Sequence, residues 1–163
     1  MKQVSEQEML HRMAAYCSTA ERCIQEVEKK ILRAGLSSEA AQRMIHRLTA
    51  EKFIDETRFA ASFVHDALRF NRWGRIKIAY ELKRRGIPSG ICTEALAAVD
   101  DEAYRTTLLA VLKEKEKTVK GKDDRDRFHK LLRFAAGRGF ESHETINCLR
   151  RLFKGNDYAG DME

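Results

Sequence analysis

Apolar residues return every three or four positions along almost the whole chain, which is the spacing of one face of an α-helix. The clearest stretches run through Leu10, Met13, Ala14 and Cys17, then Ile24, Val27 and Ile31, then Phe59, Phe63 and Ala67. No stretch has the alternating pattern of a half-buried strand. The hydrophobic pattern therefore predicts an all-α protein.

Short polar motifs predict where some of these helices begin. Two pairs have the spacing of a capping box: Ser5 with Glu8, and Ser18 with Glu21. In this motif, the serine oxygen accepts a hydrogen bond from the third amide of the helix, and the glutamate accepts one from the serine amide. Further start motifs are Asp55 and the pair Pro88-Ser89, since a short acceptor caps free amides and proline tolerates the first turn. We expect a helix to begin at each of these places.

Three glycines indicate an internal repeat. Gly35, Gly86 and Gly139 lie 51 and 53 residues apart, and each separates a basic amphipathic segment from an apolar residue. Alignment on these glycines superimposes apolar residues eight positions before, ten after and thirteen after: Val27, Ile78 and Leu131; Ile45, Leu96 and Leu149; Leu48, Val99 and Leu152.

The alignment predicts three tandem three-helix units that resemble helix-turn-helix folds. Their expected bounds are 5–53, 55–99 and 101–153, followed by a flexible tail at 154–163 that nothing anchors. The alternative is three unrelated helix ends, because glycine ends a large share of helices.

Composition bounds the class of protein. The chain has 163 residues, of which 43% are hydrophobic and 34% charged, and it has one proline, as in a single helix-rich soluble domain. No apolar run reaches the roughly 20 residues that span a bilayer, and the start MKQVSEQEML lacks the apolar core of a secretory signal. We therefore expect a cytoplasmic protein. The four cysteines form no C-x-x-C pair and the five histidines are dispersed, so we expect free thiols and no metal site.

Positive charge is concentrated in one segment, RFNRWGRIKIAYELKRRGI at 69–87. It holds seven cationic residues and one acid, so its net charge equals the +6 of the whole chain. Such a cluster attracts polyanions by counterion release, and it also attracts acidic protein grooves. An indole at Trp73 beside guanidinium groups could stack on a base or anchor an interface. The candidate contact residues are Arg69, Arg72, Trp73, Arg75, Lys77, Tyr80, Lys83, Arg84 and Arg85. The alternatives are a merely solvated basic helix and a Trp73 that fills a gap between units.

The same segment predicts part of the core. On a helix from Arg75 to Arg85, the apolar residues point away from the face that carries Lys77, Tyr80 and Arg84. We expect four residues of the middle unit to be largely buried: Phe59, Phe63, Ile78 and Leu82. Replacement of Lys77, Arg84 and Arg85 by glutamate should then leave folding nearly intact, while it inverts the local electrostatic field.

Motifs for catalysis are missing from the sequence. It has no glycine-rich phosphate loop, no nucleophile elbow, no H-E-x-x-H and no clustered carboxylates for a two-metal nuclease. His65 and Asp66 are adjacent, but consecutive helix positions point about 100° apart, so we expect these side chains not to converge. We expect neither an enzyme nor a cofactor.

The residues "FIDETRFAASFV" and "WGRIKIAYELKRRGI", at the spacing seen here, resemble the RecX family of RecA regulators. That family has an acidic turn, an R-F-A helix and a G-x-x-(R/K)-I-x-x-E-L-x-x-(R/K)-G-(I/V) helix in its middle unit. The matching positions are Asp55, Arg58, Phe59, Ala60, Gly74, Lys77, Ile78, Glu81, Leu82, Arg85, Gly86 and Ile87. Two positions depart from the family pattern: Ala67 replaces a common basic residue, and Arg75 replaces a common proline.

The resemblance implies an all-helical, elongated and curved array of three three-helix units that lies in the groove of the RecA filament on single-stranded DNA. It implies a regulator without an active site that lowers the ATPase, strand-exchange and coprotease activities of RecA, and so regulates DNA repair and the SOS response. Weak direct binding of single-stranded DNA and a monomeric state are also expected. The alternative is a helix-turn-helix-like DNA-binding protein that acts independently of RecA. Arg and Lys dominate the basic helix while Asn and Gln are nearly absent, which fits phosphate contact better than base readout.

Overall fold

The computed structural model describes residues 3–156 and 158–162, and within them all regular secondary structure is helical, with no β-strand. The nine α-helices of this part are α1 (Glu6–Thr19), α2 (Ile24–Arg33), α3 (Ser38–Ala50), α4 (Glu56–Asp66), α5 (Arg75–Arg84), α6 (Ser89–Ala97), α7 (Asp101–Glu116), α8 (Asp124–Gly137) and α9 (Ser142–Leu152). A π-helical turn at Ala67–Asn71 follows α4, and a 3-10 turn lies at Ala159–Met162. The all-α prediction is confirmed.

One of the two predicted capping boxes marks a helix start, and the other does not. Ser5 caps α1, because its hydroxyl oxygen accepts a hydrogen bond from the amide of Glu8 at 3.1 Å. The predicted start at Ser18 is wrong: Ser18 lies in the last turn of α1, and its hydroxyl donates to the carbonyl of Ala14. The cap of α2 comes five residues later, where the Glu26 carboxylate accepts from the amide of Cys23 at 2.8 Å. The hydroxyl of a serine inside a helix can donate to a backbone carbonyl of the preceding turn, so the Ser-x-x-Glu motif alone does not fix where a helix begins.

The three repeat glycines end α2, α5 and α8 as predicted. Their φ angles are +93°, +78° and +92°, in the left-handed region that side chains with a Cβ rarely adopt. After α5, the amide of Gly86 donates to the carbonyl of Lys83 and the amide of Ile87 donates to that of Leu82. The α8 end has the same pair of bonds, from Gly139 to Ala136 and from Phe140 to Ala135. Both ends are Schellman motifs, so equivalent stops recur in the second and third copies of the predicted repeat.

The residues eight positions before these glycines are buried in all three copies, as the alignment predicted: Val27, Ile78 and Leu131. The positions after the glycines agree less well. Leu48 and Leu149 are buried, whereas Ile45, Leu96, Val99 and Leu152 are only partly buried. The three-helix period is therefore clearest in the middle helix of each copy.

The described residues separate into two compact units. The first holds the residues up to Phe63 together with Leu82–Ala95, and the second holds Val64–Glu81 and the residues from Leu96 onward. Each of the segments predicted as a repeat, 5–53, 55–99 and 101–153, contains three α-helices. The residues of the middle segment are divided between the two compact units, so an independent middle unit stays a prediction.

In the first compact unit, α3 packs against α1 and α2. Its buried core consists of Met9, Met13, Cys17, Val27, Ile31, Ala41, Met44, Leu48 and Ile54. These residues come from the hydrophobic stripes of three amphipathic helices and from the turn that follows α3.

In the second compact unit, α7, α8 and α9 pack against one another. The core is richer in aromatic rings and consists of Tyr104, Leu108, Leu112, Phe128, Leu131, Leu132, Ala135, Phe140, Cys148, Leu149 and Phe153. The expectation that nothing anchors the tail is wrong at Tyr158. Its ring packs edge-on against Phe128, and its carbonyl accepts a hydrogen bond from Nε2 of His129 at 2.9 Å.

The predicted core of the middle segment is right at three positions and wrong at one. Phe59, Ile78 and Leu82 are buried. Phe63 is only partly buried, and the next residue, Val64, is buried instead. Phe63 stacks on Phe59 with ring centroids 5.9 Å apart, so it covers a core residue from outside.

The four cysteines are free and buried. Within the described ranges, no helix combines the length and the apolar character needed to cross a bilayer.

Candidate interaction surface

The basic segment begins with an irregular turn between α4 and α5. Residues Ala67–Asn71 form the π-helical turn, and Arg72 adopts a left-handed conformation with φ of +55°. The amide of Trp73 donates back to the carbonyl of Ala67 at 3.1 Å. A π turn and a left-handed arginine are both uncommon, and such features concentrate at functional sites.

The start of α5 is fixed to the turn that ends α8. The amide of Gly74 donates to the carbonyl of Arg138 at 2.8 Å, and the amide of Ile76 donates to that of Gly139 at 3.0 Å. The first amides of a helix have no partner within the helix, and here carbonyls about 65 residues later in the chain satisfy two of them. The backbones approach so closely that a Cβ at Gly74 would clash with Gly139.

Arg75 was predicted to contact a partner, but it is engaged within the second compact unit. Its guanidinium pairs with Asp101 at 2.8 Å and with Glu141 at 3.0 Å, and its side chain is only 22% exposed. The guanidinium also lies over the Tyr104 ring, 3.8 Å from the centroid. Arg75 therefore stabilises the fold, and its charge is neutralised by two carboxylates.

Tyr104 completes this cluster. Its hydroxyl donates a hydrogen bond to the Glu141 carboxylate and accepts one from the amide of Arg75 at 3.0 Å. Burial, together with the neighbouring carboxylate, raises the pKa of Tyr104. Burial alone would raise the pKa of Glu141, but the hydrogen bonds from Tyr104, from the backbone and from Arg75 hold it below its ordinary value.

Several other predicted contact residues are also held by neighbours. Arg72 pairs with Glu114 at 2.9 Å. The ammonium of Lys77 lies 4.7 Å from the centroid of the half-buried Trp73 ring. The guanidinium of Arg85 lies 4.6 Å from the Phe63 centroid. Lys77 and Arg85 therefore contribute packing through cation–π contacts as well as charge.

The remaining candidates are exposed to solvent. They are Arg69 on the π turn and Tyr80, Lys83 and Arg84 on α5. The guanidinium of Arg69 lies over the ring of Phe70 at 5.4 Å. The opposite-face prediction for α5 is right for Tyr80 and Arg84, while Lys77 is only half-exposed.

Sequence reasoning missed the exposed apolar residues of this segment. Phe70 is 69% exposed and Ile76 is 60% exposed, close to the 61% of Tyr80. The sequence did carry an indication for Ile76, because it is two positions before Ile78 and so lies off the stripe of Ile78 and Leu82.

Most of the family-signature residues have structural roles. Asp55 caps α4 by accepting from the amide of Arg58, whose guanidinium pairs with Glu21 at 2.8 Å. The apolar signature residues are buried: Phe59, Ala60, Ile78, Leu82 and Ile87. Gly74 and Gly86 meet backbone requirements, while Lys77 and Glu81 are half-buried. The signature therefore specifies the local fold more than it specifies a contact surface.

Among the described residues, no group of three or more His, Cys, Asp or Glu side chains is placed to hold a metal ion. The expectation that His65 and Asp66 do not converge is wrong. Both side chains are exposed and free to bend over the helix surface, and their Nδ1 and Oδ1 atoms lie 3.3 Å apart.

Together these features define an all-helical protein with three-helix segments and an exposed basic and aromatic surface on one helix. A family model described as "RecX, second three-helix domain" matches residues 55–96, which include α4, α5 and nearly all of α6. "Regulatory protein RecX" of Prosthecochloris aestuarii is 34% identical over 143 residues, 88% of this chain and 92% of that protein. The chain belongs to the RecX family.

Two further comparisons concern the sequence and the fold. "Regulatory protein RecX" of Clostridium tetani is 32% identical over 129 residues, which cover 78% of this chain and 59% of that longer protein. The crystal structure of RecX from Lactobacillus salivarius matches with a TM-score of 0.80 at 18% identity, covering 91% of this chain and 97% of that one. The Lactobacillus salivarius protein and this chain therefore have the same fold.

Proposed function

We propose that this protein binds the RecA filament on single-stranded DNA and lowers the ATPase, strand-exchange and coprotease activities of RecA. It would thereby restrain recombination and the SOS response, acting as a monomer in the cytoplasm. The observation that carries the proposal is the basic surface of the segment 69–85, which lies within the residues that the RecX family model matches.

Charge supports this partner. A protein with a formal net charge of +6 is drawn to DNA phosphates and to acidic protein surfaces, and a nucleoprotein filament offers both. Arg69, Lys83 and Arg84 are exposed. The lysine ammonium is a compact point charge and the arginine guanidinium is a planar fork of donors, and both groups bind phosphates and carboxylates. Arg72 and Arg75 contribute less to this attraction, because carboxylates already compensate their charge.

The test is inhibition of the DNA-dependent ATPase of RecA by a variant that reverses two exposed cations. Arg69→Glu/Lys83→Glu should lose most of the inhibition, because both side chains are exposed and available to a partner. The matched control is Arg33→Glu/Lys113→Glu, which makes the same change of net charge at exposed positions of α2 and α7. Arg33 and Lys83 both lie in the last turn of a helix, so the effects on the helix dipole are also matched.

Each result has a distinct meaning. If the wild-type protein leaves the ATPase unchanged, the proposed function is wrong. If wild type inhibits and both double variants inhibit equally, the function holds but the basic surface is not the contact. Urea unfolding of both variants establishes that they are folded.

A further inference from the structure

Exposed large apolar residues are concentrated beside the basic residues. In the part of the chain that the structure describes, four such side chains stand out, and three of them are Phe70, Ile76 and Tyr80. The fourth, Leu32, is 42% exposed on α2. A soluble protein exposes single apolar residues routinely, whereas a group of them beside charged residues marks an interaction surface.

Ile76 and Tyr80 form one continuous apolar feature. They are four residues apart on α5, so their side chains are neighbours on one helix face. Ile78 and Leu82 are buried on the other side of the helix, and the α5 amides are bonded to the α8 end, so α5 cannot rotate to bury them. We call the pair Ile76 and Tyr80 the apolar ridge.

We propose that the apolar ridge enters an apolar pocket bordered by carboxylates on a protein partner, and that the cations beside it steer the encounter. This inference rests on the proposed function, which makes the partner a subunit of the RecA filament. It goes further by assigning the lifetime of the complex to two apolar side chains and not to the basic charge.

The chemistry of the ridge favours a protein over a nucleic acid. Ile76 is aliphatic, so it has no π face on which a base could stack and no donor for a phosphate. Tyrosine is enriched among the residues that dominate protein–protein binding energy, and an apolar anchor ringed by charge is the usual anatomy of such interfaces. Lys83 is exposed one turn beyond Tyr80, so a complementary pocket would carry acidic residues at its border.

The proposal predicts that different residues control different rate constants. Charges at the border of an interface act mainly on association, because they guide diffusion, whereas buried apolar anchors act mainly on dissociation. Association and dissociation rates can be measured on immobilised RecA filaments that are formed on single-stranded DNA, with the full-length chain as the analyte.

Four variants separate these contributions. Ile76→Ser/Tyr80→Ser should dissociate about tenfold faster or more, with little change in association. Tyr80→Phe should bind like wild type, because it keeps the ring. Leu32→Ser, the matched exposed apolar control on α2, should also bind like wild type. Arg69→Glu/Lys83→Glu should associate more slowly, with a smaller salt dependence.

The outcomes distinguish this inference from the proposed function. If wild type does not bind filaments, both fall. If wild type binds and Ile76→Ser/Tyr80→Ser dissociates at the wild-type rate while remaining folded, only the apolar ridge is overturned. If the ridge variant also loses its affinity for single-stranded DNA without RecA, the ridge contacts nucleic acid and the assignment to a protein pocket is wrong.

Discussion

The backbone of Gly74 lies against the backbone of Gly139, with the Gly74 amide bonded to the carbonyl of the preceding Arg138. Gly74 is the signature glycine that opens α5, and Gly139 is the repeat glycine that ends α8. A Cβ on Gly74 would overlap backbone atoms of Gly139 and Phe140, and a Cβ on Gly139 would overlap Lys77 in the first turn of α5. The close approach of the start of α5 to the end of α8 therefore explains why both positions need glycine, although of the two only Gly139 has a positive φ.

Gly74→Ala should destabilise the protein. The added Cβ meets backbone atoms, which cannot move aside as a flexible side chain can, so the expected cost is about 1–3 kcal/mol or more. Gly90→Ala is the control, because Gly90 lies in α6 and a Cβ there meets nothing within 4 Å. Alanine favours helix over glycine, so Gly90→Ala should be neutral or stabilising by up to about 1 kcal/mol. Urea unfolding compares the two, and equal stabilities would mean that the close approach of the two backbones is absent.

The Arg75, Tyr104 and Glu141 cluster should make stability depend on pH. Glu141 has a pKa below its ordinary value of 4.5 in the folded chain, because hydrogen bonds to the carboxylate outweigh the opposing effect of burial. The unfolded chain therefore binds the proton more readily, so the stability that Glu141 contributes is full above its ordinary pKa. This contribution is lost as pH falls through the lower folded pKa.

Glu141→Gln should reduce the loss of stability between neutral and acidic pH, measured by urea unfolding at several pH values. Glu102→Gln, which removes the same charge at an exposed position of α7, is the control for the change in net charge. Tyr104→Phe should cost about 1–3 kcal/mol at neutral pH, because it leaves a partly buried carboxylate with one donor fewer. A Glu141→Gln profile that overlays the wild-type profile would contradict the assignment.

The two phenylalanines of α4 should respond differently to truncation. Phe63 is half-buried, so Phe63→Ala should cost about 1–2 kcal/mol, below the roughly 3–5 kcal/mol of a fully buried ring. Phe59 is buried, and Phe59→Ala should reach the larger range. Equal losses in thermal or urea unfolding would show that Phe63 is a core residue after all.

Local features were predictable from the sequence, and long-range pairings were not. The glycine stops and the buried Val27, Ile78 and Leu131 follow from helix chemistry within one turn or one repeat. Arg75 looks like a free cation in sequence because its partner Glu141 lies 66 residues away. The same limit hid the reason for Gly74. The wrong cap at Ser18 has a local cause, because its hydroxyl bonds to the carbonyl of Ala14 and α1 continues to Thr19.

The packing of the basic residues changes what charge reversal should do. Lys77→Glu/Arg84→Glu/Arg85→Glu removes two cations that lie over the rings of Trp73 and Phe63, so it should lose about 1–2 kcal/mol of stability. Arg69→Glu/Lys83→Glu should lose less, about 0.5–1 kcal/mol, because it removes one cation–π contact, of Arg69 with the exposed Phe70 ring. Urea unfolding measures the difference. If the triple variant is as stable as wild type, these cation–π contacts contribute nothing.

The salt dependence of DNA binding should separate a RecA regulator from an independent DNA-binding protein. Each phosphate neutralised on a single strand contributes a slope of about −0.7 to log K against log salt. The basic segment has few exposed cations, among them Arg69 and Lys83. Wild type should therefore bind single-stranded DNA weakly, with a shallow slope of log K against log salt and no preference among sequences. Arg69→Glu/Lys83→Glu should flatten the slope by about 1.4, and Arg33→Glu/Lys113→Glu should leave it close to that of wild type. At equal salt, wild type should bind RecA filaments far more tightly than it binds the same single-stranded DNA without RecA.

Tight, sequence-dependent binding of duplex DNA without RecA would instead favour the helix-turn-helix-like alternative, because phosphate contacts alone cannot distinguish one sequence from another.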